Sequence, residues 1–250
     1  MDLNLVGKKV LVTGSSRGIG LQIANGFIVE GCSVVFNSRS HFVYEGPSNS
    51  DAHFVSGDVS TEIGAQKVIH EAASILDGLD IVICNVGSGK SVPPGQETEE
   101  SWTASFEINF YSAIHTIQAA RQYLKASRGV IICISSICGT EVIPGAPVTY
   151  SVSKAALNAY VKGISRPFGE EGIRICAVAP GNILFDGSVW DEKLKTNSMV
   201  VNKMLKDEVP LNKLGCSDDV ANLVLLLSSP VSENITGSIL ISDGGQTRSL

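Results

Sequence analysis

Short apolar runs along the chain alternate with longer stretches in which apolar residues recur every three or four positions. Runs rich in Val and Ile at 10–13, 33–37, 53–56, 79–84, 129–134, 173–178 and 238–241 predict strands. Several are apolar at every position, as strands covered on both faces must be. Between them, Ile19, Ile23, Phe27 and Ile28 fit a 3.6-residue period, as do Val68, Ile69, Ala72, Ile75 and Leu76 within 61–76, and both sets predict helices. Further helices are predicted over 99–127, with room for a break, from Tyr150 through Leu157, Val161 and Ile164 to Pro167, and over 218–228. This alternation predicts an α/β fold, a doubly wound parallel sheet with helices on both faces, as one domain over 1–250. Two segments depart from the pattern. Residues 38–52 include Gly46, Pro47, Ser48, Asn49 and Ser50 and have no helical period. A loop with at most one helical turn is expected there, where a full crossover helix is usual. Residues 182–214 are loose and rich in Lys and Asp apart from a helix near 199–208, which predicts an irregular lid or substrate loop.

Composition narrows the classes. A chain of 250 residues that is 44% hydrophobic can bury a full core. The net charge of −6, with no basic run, argues against nucleic acid or an anionic membrane as partner. No apolar run approaches the ~20 residues of a membrane span, and the start, Met1 to Lys9, lacks a signal-peptide pattern. The six cysteines are scattered without a CxxC or a Cys/His cluster. A reducing cytoplasm is expected, with no disulfide framework and no metal.

The candidate chemistry sits at strand ends. Strand one runs through Thr13 into Gly14-Ser15-Ser16-Arg17-Gly18-Ile19-Gly20 and then a helix. Glycines there let a pyrophosphate approach the backbone, and the helix start offers free N–H groups and a positive dipole end. Asp58, just past strand three, either accepts a hydrogen bond from an adenine amino group or caps the next helix. Asn85-Val86-Gly87-Ser88-Gly89 follows strand four, where ligands lie in open α/β sheets. Asn109 interrupts an apolar helical stretch; either it faces solvent or its amide has a specific use. Tyr150 and Lys154, four positions apart, share a helix face. A phenol ionises near pH ~10 in water, and a nearby ammonium lowers that, so the pair reads as a lysine-tuned general acid/base.

Taken in order, these segments resemble the short-chain dehydrogenase/reductase family, and within it the 3-oxoacyl-carrier-protein reductase-like branch. Thr13 to Gly20 resembles the family's TGxxxGxG turn, Asp58-Val59 its adenine-side acid, and Asn85-Val86-Gly87 a relaxed NAG motif. Asn109, Ser136, Tyr150 and Lys154 match its catalytic tetrad, Pro180-Gly181-Asn182-Ile183 its nicotinamide-side segment, and Asp243-Gly244-Gly245 its closing DGG. The resemblance implies a Rossmann-like fold and hydride transfer between a nicotinamide and a carbonyl or secondary alcohol. Tyr150 would pass the proton, Ser136 orient the carbonyl, Lys154 lower the Tyr150 pKa and hold the ribose, and Asn109 hold a water. Gly14, Ser16, Arg17, Gly18, Ile19, Gly20, Asp58, Val59, Asn85, Gly87, Pro180, Gly181 and Ile183 would contact the dinucleotide. A small-molecule ketone, 3-oxoacyl or sugar-like, is the implied substrate, and a homotetramer the implied assembly. An NAD-dependent alcohol or sugar dehydrogenase and a non-catalytic dinucleotide-binding regulator are the alternatives. Phe185 departs from the pattern, standing where many members place a threonine.

The end of strand two bears on which dinucleotide is used. A carboxylate there favours NAD by bonding both ribose hydroxyls. Here the equivalent residue is Asn37, followed by Ser38 and Arg39, with Arg17 on the other side. NADPH is therefore expected to be preferred, with NAD as the alternative.

Overall fold

The computed structural model describes residues 2–44, 46 and 50–249. Met1, Pro47, Ser48 and Asn49, named above, lie outside that set. Seven strands form one parallel sheet: β1 (Lys9–Val12), β2 (Ser33–Ser38), β3 (Ala52–Ser56), β4 (Ile81–Cys84), β5 (Val130–Ile134), β6 (Arg174–Pro180) and, after two short strands, β9 (Ile239–Ser242). Their order is β3-β2-β1-β4-β5-β6-β9. The order reverses between β1 and β4, and a ligand crevice opens at such a switch point.

Alternation along the strands divides the buried residues between two cores. Leu11, Val35, Val82, Ile131 and Ile175 pack toward α2 (Glu62–Leu76), α4 (Ser112–Ser127) and α5 (Val148–Glu170). Val10, Val34, Ile81, Ile132 and Cys176 pack toward α1 (Gly18–Val29) and α7 (Ser217–Ser228). Between β2 and β3 the described residues contain no helix. Phe42 and Tyr44 instead fold onto Phe36, with ring centroids at 5.7 and 4.8 Å, and shield the sheet there.

Two expectations change, and the break allowed for within 99–127 is present. The stretch 99–127 is α3 (Glu99–Phe106) and α4 joined by a π-helical turn, Glu107–Tyr111, which centres on Asn109. The Tyr150 helix continues past Pro167 to Glu170, because Phe168 beyond the proline is buried and holds the last turn on the core. The segment after β6 is not irregular. It forms β7 (Ile183–Leu184), paired with β8 (Gly215–Cys216), and a 20-residue helix α6 (Val189–Glu208) bent at Asn197, whose φ of −156° and ψ of 71° are non-helical. Val201, Leu205 and Val209 form a separate small core beneath it, a period hidden by the surrounding lysines. No helix among the described residues is long and apolar enough to cross a membrane.

Candidate active site

The carboxyl ends of β1, β4, β5 and β6 converge on a cavity of about 620 Å³. Thr13, buried at the end of β1, ties two of them together: its hydroxyl donates to the Ile83 carbonyl and accepts from the Asn85 N–H, both at 3.0 Å. The Asn85 amide donates back to the carbonyls of Thr13 and Gly14, each at 3.0 Å. At Gly20 a Cβ would stand 2.4 Å from Asn85 Nδ2, so only glycine fits. Gly14 and Gly18 have φ of +63° and +58°, conformations that side chains disfavour. Helix α1 begins at Gly18 without a side-chain cap, which leaves its first N–H groups for a ligand. Among the described residues, this cradle fits a dinucleotide pyrophosphate.

Asn109 does not face solvent. Its side chain is buried in the π turn, where Nδ2 donates to the carbonyls of Ser88 and Ser105 (both 3.1 Å) and Oδ1 accepts the Ser88 N–H (2.8 Å). The amide thus fixes the loop after β4. A Cβ at Gly87 would lie 3.0 Å from Asn109 Oδ1 and 3.1 Å from Lys154 Nζ, so the bare backbone there lets those two groups sit close. Lys154 is buried and donates to the Ile134 carbonyl at 2.8 Å. Ser136 ends the strand before a short 3-10 turn, which Gly139 allows to rest on the α5 backbone. A Cβ at Gly139 would come within 2.6 Å of the Lys154 carbonyl carbon. That contact brings Ser136 to Tyr150, whose ring lies beside Gly89.

Burial pushes the Tyr150 phenol up to about 12, and the Ser136 hydroxyl draws it back only in part. Burial pushes Lys154 down to about 8. Lys154 is not among the causes acting on Tyr150, and its ammonium is turned toward β5. The protein alone therefore holds Tyr150 as a proton donor.

Residues 14–247 match the sequence family described as Enoyl-(Acyl carrier protein) reductase. The chain belongs to the short-chain dehydrogenase/reductase family. It is an NAD(P)-dependent oxidoreductase acting on a carbonyl or alcohol carbon. It is 30% identical to an isoepoxydon dehydrogenase of Penicillium expansum, over 98% of this chain and 96% of that protein. It is 31% identical to a 3-oxoacyl-[acyl-carrier-protein] reductase of Chlamydia pneumoniae, over 99% and 100%. The solved L-sorbose reductase from Gluconobacter frateurii, complexed with NADPH and L-sorbose, superposes with a TM-score of 0.90 at 27% identity, covering 100% of both chains.

Within this short-chain dehydrogenase/reductase, Gly14, Arg17, Ile19, Gly20, Asn85, Gly87, Ser136, Tyr150, Lys154, Pro180, Gly181 and Ile183 line one cavity. Asn109 stands behind its wall. Ser16, Asn37, Ser38, Arg39, Asp58 and Val59 do not line it; the last five sit at the ends of β2 and β3. Asn37 is buried at the end of β2; its Nδ2 donates to the carbonyls of Val55 and Gly57 (3.1 Å each), and its Oδ1 accepts from the Gly14 N–H at 3.4 Å, so its amide ties the sheet to the glycine turn. The Ser38 hydroxyl is bound to the Ser40 carbonyl. Arg39 and Arg17 are exposed and have no ion pair among the described residues. Asp58 does not cap α2, which Thr61 does; one Asp58 oxygen accepts from Ser60. Val59 is buried.

Three features escape local sequence reading. Gln246 in the C-terminal segment lines the cavity and accepts from Asn182 Nδ2 at 2.8 Å. Trp190 and Lys193 line it from α6. The Phe185 ring lies on Gly18, where a Cβ would come within 2.6 Å of the ring, and so covers the start of α1. No local motif marks Gln246, Trp190 or Lys193, because the tertiary fold alone brings them to the cavity.

Proposed function

We propose that this protein is an NADPH-dependent ketoreductase. The observation that carries the reading is the convergence of Ser136, Tyr150 and Lys154 on the cavity below the glycine turn, with Tyr150 held protonated. When bound, the dinucleotide supplies the hydride. Ser136 donates to the substrate carbonyl oxygen and fixes its direction. Tyr150 gives its proton to that oxygen as negative charge develops on it. Lys154 positions the ribose side of the site, its ammonium held by the Ile134 carbonyl. Asn109 keeps the loop after β4 clear of the Lys154 ammonium.

The preference for NADPH rests on the end of β2. No carboxylate follows β2 directly, and Arg39 is the exposed cation just past its end. An arginine–phosphate contact contributes about 1.5–3 kcal/mol, roughly a 10- to 150-fold preference. Tyr111 at the end of the π turn and Val148 and Val152 at the start of α5 are exposed apolar side chains, which supports a homotetramer with two-fold axes.

The test follows nicotinamide absorbance with a panel of 3-oxoacyl thioesters, cyclic ketones and keto sugars, using NADPH and NADH. At least a tenfold higher kcat/KM with NADPH is expected, reduced by Arg39→Leu. Equal or better turnover with NADH would remove the cofactor assignment. Aspartate at position 37 is a poor probe, because it would set a buried carboxylate against the Val55 and Gly57 carbonyls.

A further inference from the structure

Helix α6 and its flanks carry Lys193, Lys195, Lys203 and Lys206, which in sequence look like one solvated face. The structure separates them. Lys195 pairs with Asp191 at 2.7 Å and Lys203 with Asp207 at 2.6 Å, each one helical turn along its own helix. Lys206 does not line the cavity. Lys193 does, and its ammonium lies 4.4 Å from the centre of the Trp190 ring, also in the wall. No carboxylate pairs with Lys193 among the described residues. Its neighbour Glu192 is bound by Lys90 at 3.2 Å, across the mouth of the cleft.

The rest of this wall offers no second cation from α6. Ile143, Pro144, Val189, Val200 and Met204 are apolar. The Thr196 hydroxyl donates to the Glu192 carbonyl, and Asn197 Oδ1 accepts from the Val200 N–H; neither brings a charge to the wall. Gln246 is bound to Asn182. Glu208, the acid in the lining, lies at the opposite end of α6 from Lys193, beyond the bend at Asn197. Lys154 belongs to the catalytic side, and Arg17, rooted in the glycine turn, has its guanidinium beside Gly187 just before α6.

We propose that Lys193, stacked on Trp190, is the specificity-determining cation that selects ketones bearing a carboxylate at the far end of an apolar body. The ring restrains the ammonium at the exposed rim of the wall, where it stays open to a carboxylate arriving from solvent. The proposal rests on the ketoreductase reading for its reaction, but its recognition step can be measured separately.

The probes are 5-oxohexanoate, 7-oxooctanoate and 9-oxodecanoate, each beside its neutral methyl ester, so that chain length is not presumed. For the best-fitting pair, kcat/KM is expected to favour the acid by about tenfold, equivalent to ~1.4 kcal/mol. Lys193→Met should bring that ratio near one through KM for the acid, and Lys193→Glu should invert it. Salt near 1 M, where the screening length is ~3 Å, should lower it in the unaltered enzyme. Lys203→Met should leave it unchanged. Trp190 fluorescence in a Trp102→Phe background reads binding directly, with the acid expected to bind about tenfold more tightly than the ester. A ratio near one in the unaltered protein, a ratio that survives Lys193→Met, or a change confined to KM for NADPH overturns the proposal. So does the lack of an acid-selective Trp190 response. Acid-selective binding with no ketone reduced would sustain the Lys193 assignment and overturn the ketoreductase reading.

Discussion

Replacing Lys154 with methionine should stabilise the protein while destroying its activity. The ammonium is buried, and burial takes its pKa from 10.5 to about 8. At ~1.36 kcal/mol per pH unit, holding the charge in the fold costs roughly 3 kcal/mol at neutral pH. Methionine removes that cost at similar length but leaves the Ile134 carbonyl without its 2.8 Å donor, a loss of about 1 kcal/mol or more. The expected net gain at pH 7 is about 2 kcal/mol. The folded-state pKa is the lower one, so the unfolded chain holds the extra proton between pH 8 and 10.5. The stability of the unaltered protein therefore rises through that window and is fully recovered above it, so its deficit against the variant should close. Urea unfolding at pH 7 and pH 10, at one fixed protein concentration, measures both quantities. A variant less stable than the parent at pH 7, or a gap that stays constant to pH 10, would show that the Lys154 charge is not strained by burial.

Tyr150→Phe should lower kcat by about 10²–10⁴-fold with NADPH affinity nearly intact; retention of a tenth of the rate would place the proton donor elsewhere. The pH profile of kcat/KM for reduction should be level below about 8 and decline above it as Lys154 loses its proton, while Tyr150, near 12, stays protonated throughout. A profile level to pH 10 would contradict this. Phe185→Thr should uncover the start of α1 and tighten NADPH binding by about tenfold, ~1.4 kcal/mol; calorimetry showing weaker binding would mean that the ring assists the cofactor. Light scattering should give about four times the 26.4 kDa chain mass, and a value near one chain would rule out the tetramer.

Much of this architecture is legible in the sequence because strands buried on both faces leave continuous apolar runs, as at Ile81–Cys84 and Val130–Ile134. The glycine turn and the Tyr150–Lys154 spacing are equally local. The π turn is not, since Asn109 earns its place through Ser88, a contact 21 positions away. The same holds for the buried amide of Asn37, whose Nδ2 finds the carbonyls of Val55 and Gly57, 18 and 20 positions away. Helix α6 was obscured because its buried residues are few and its exposed ones charged, so the 3.6-residue period survives only in its second half.

The bend at Asn197 has a consequence for how this protein can change. The second half of α6 rests on Val201 and Leu205, which with Val209 form a core separate from the two that hold the sheet. The first half, with Trp190 and Lys193, adds no fully buried apolar residue to any of the three. Only Trp190 and Leu194 tie that half to the small core, so substitutions at its other positions meet little resistance, whereas changes at Gly20 or Gly139 collide at once with neighbouring backbone. The wall facing the substrate can therefore drift, or be redesigned, one helical turn at a time while the catalytic floor stays fixed.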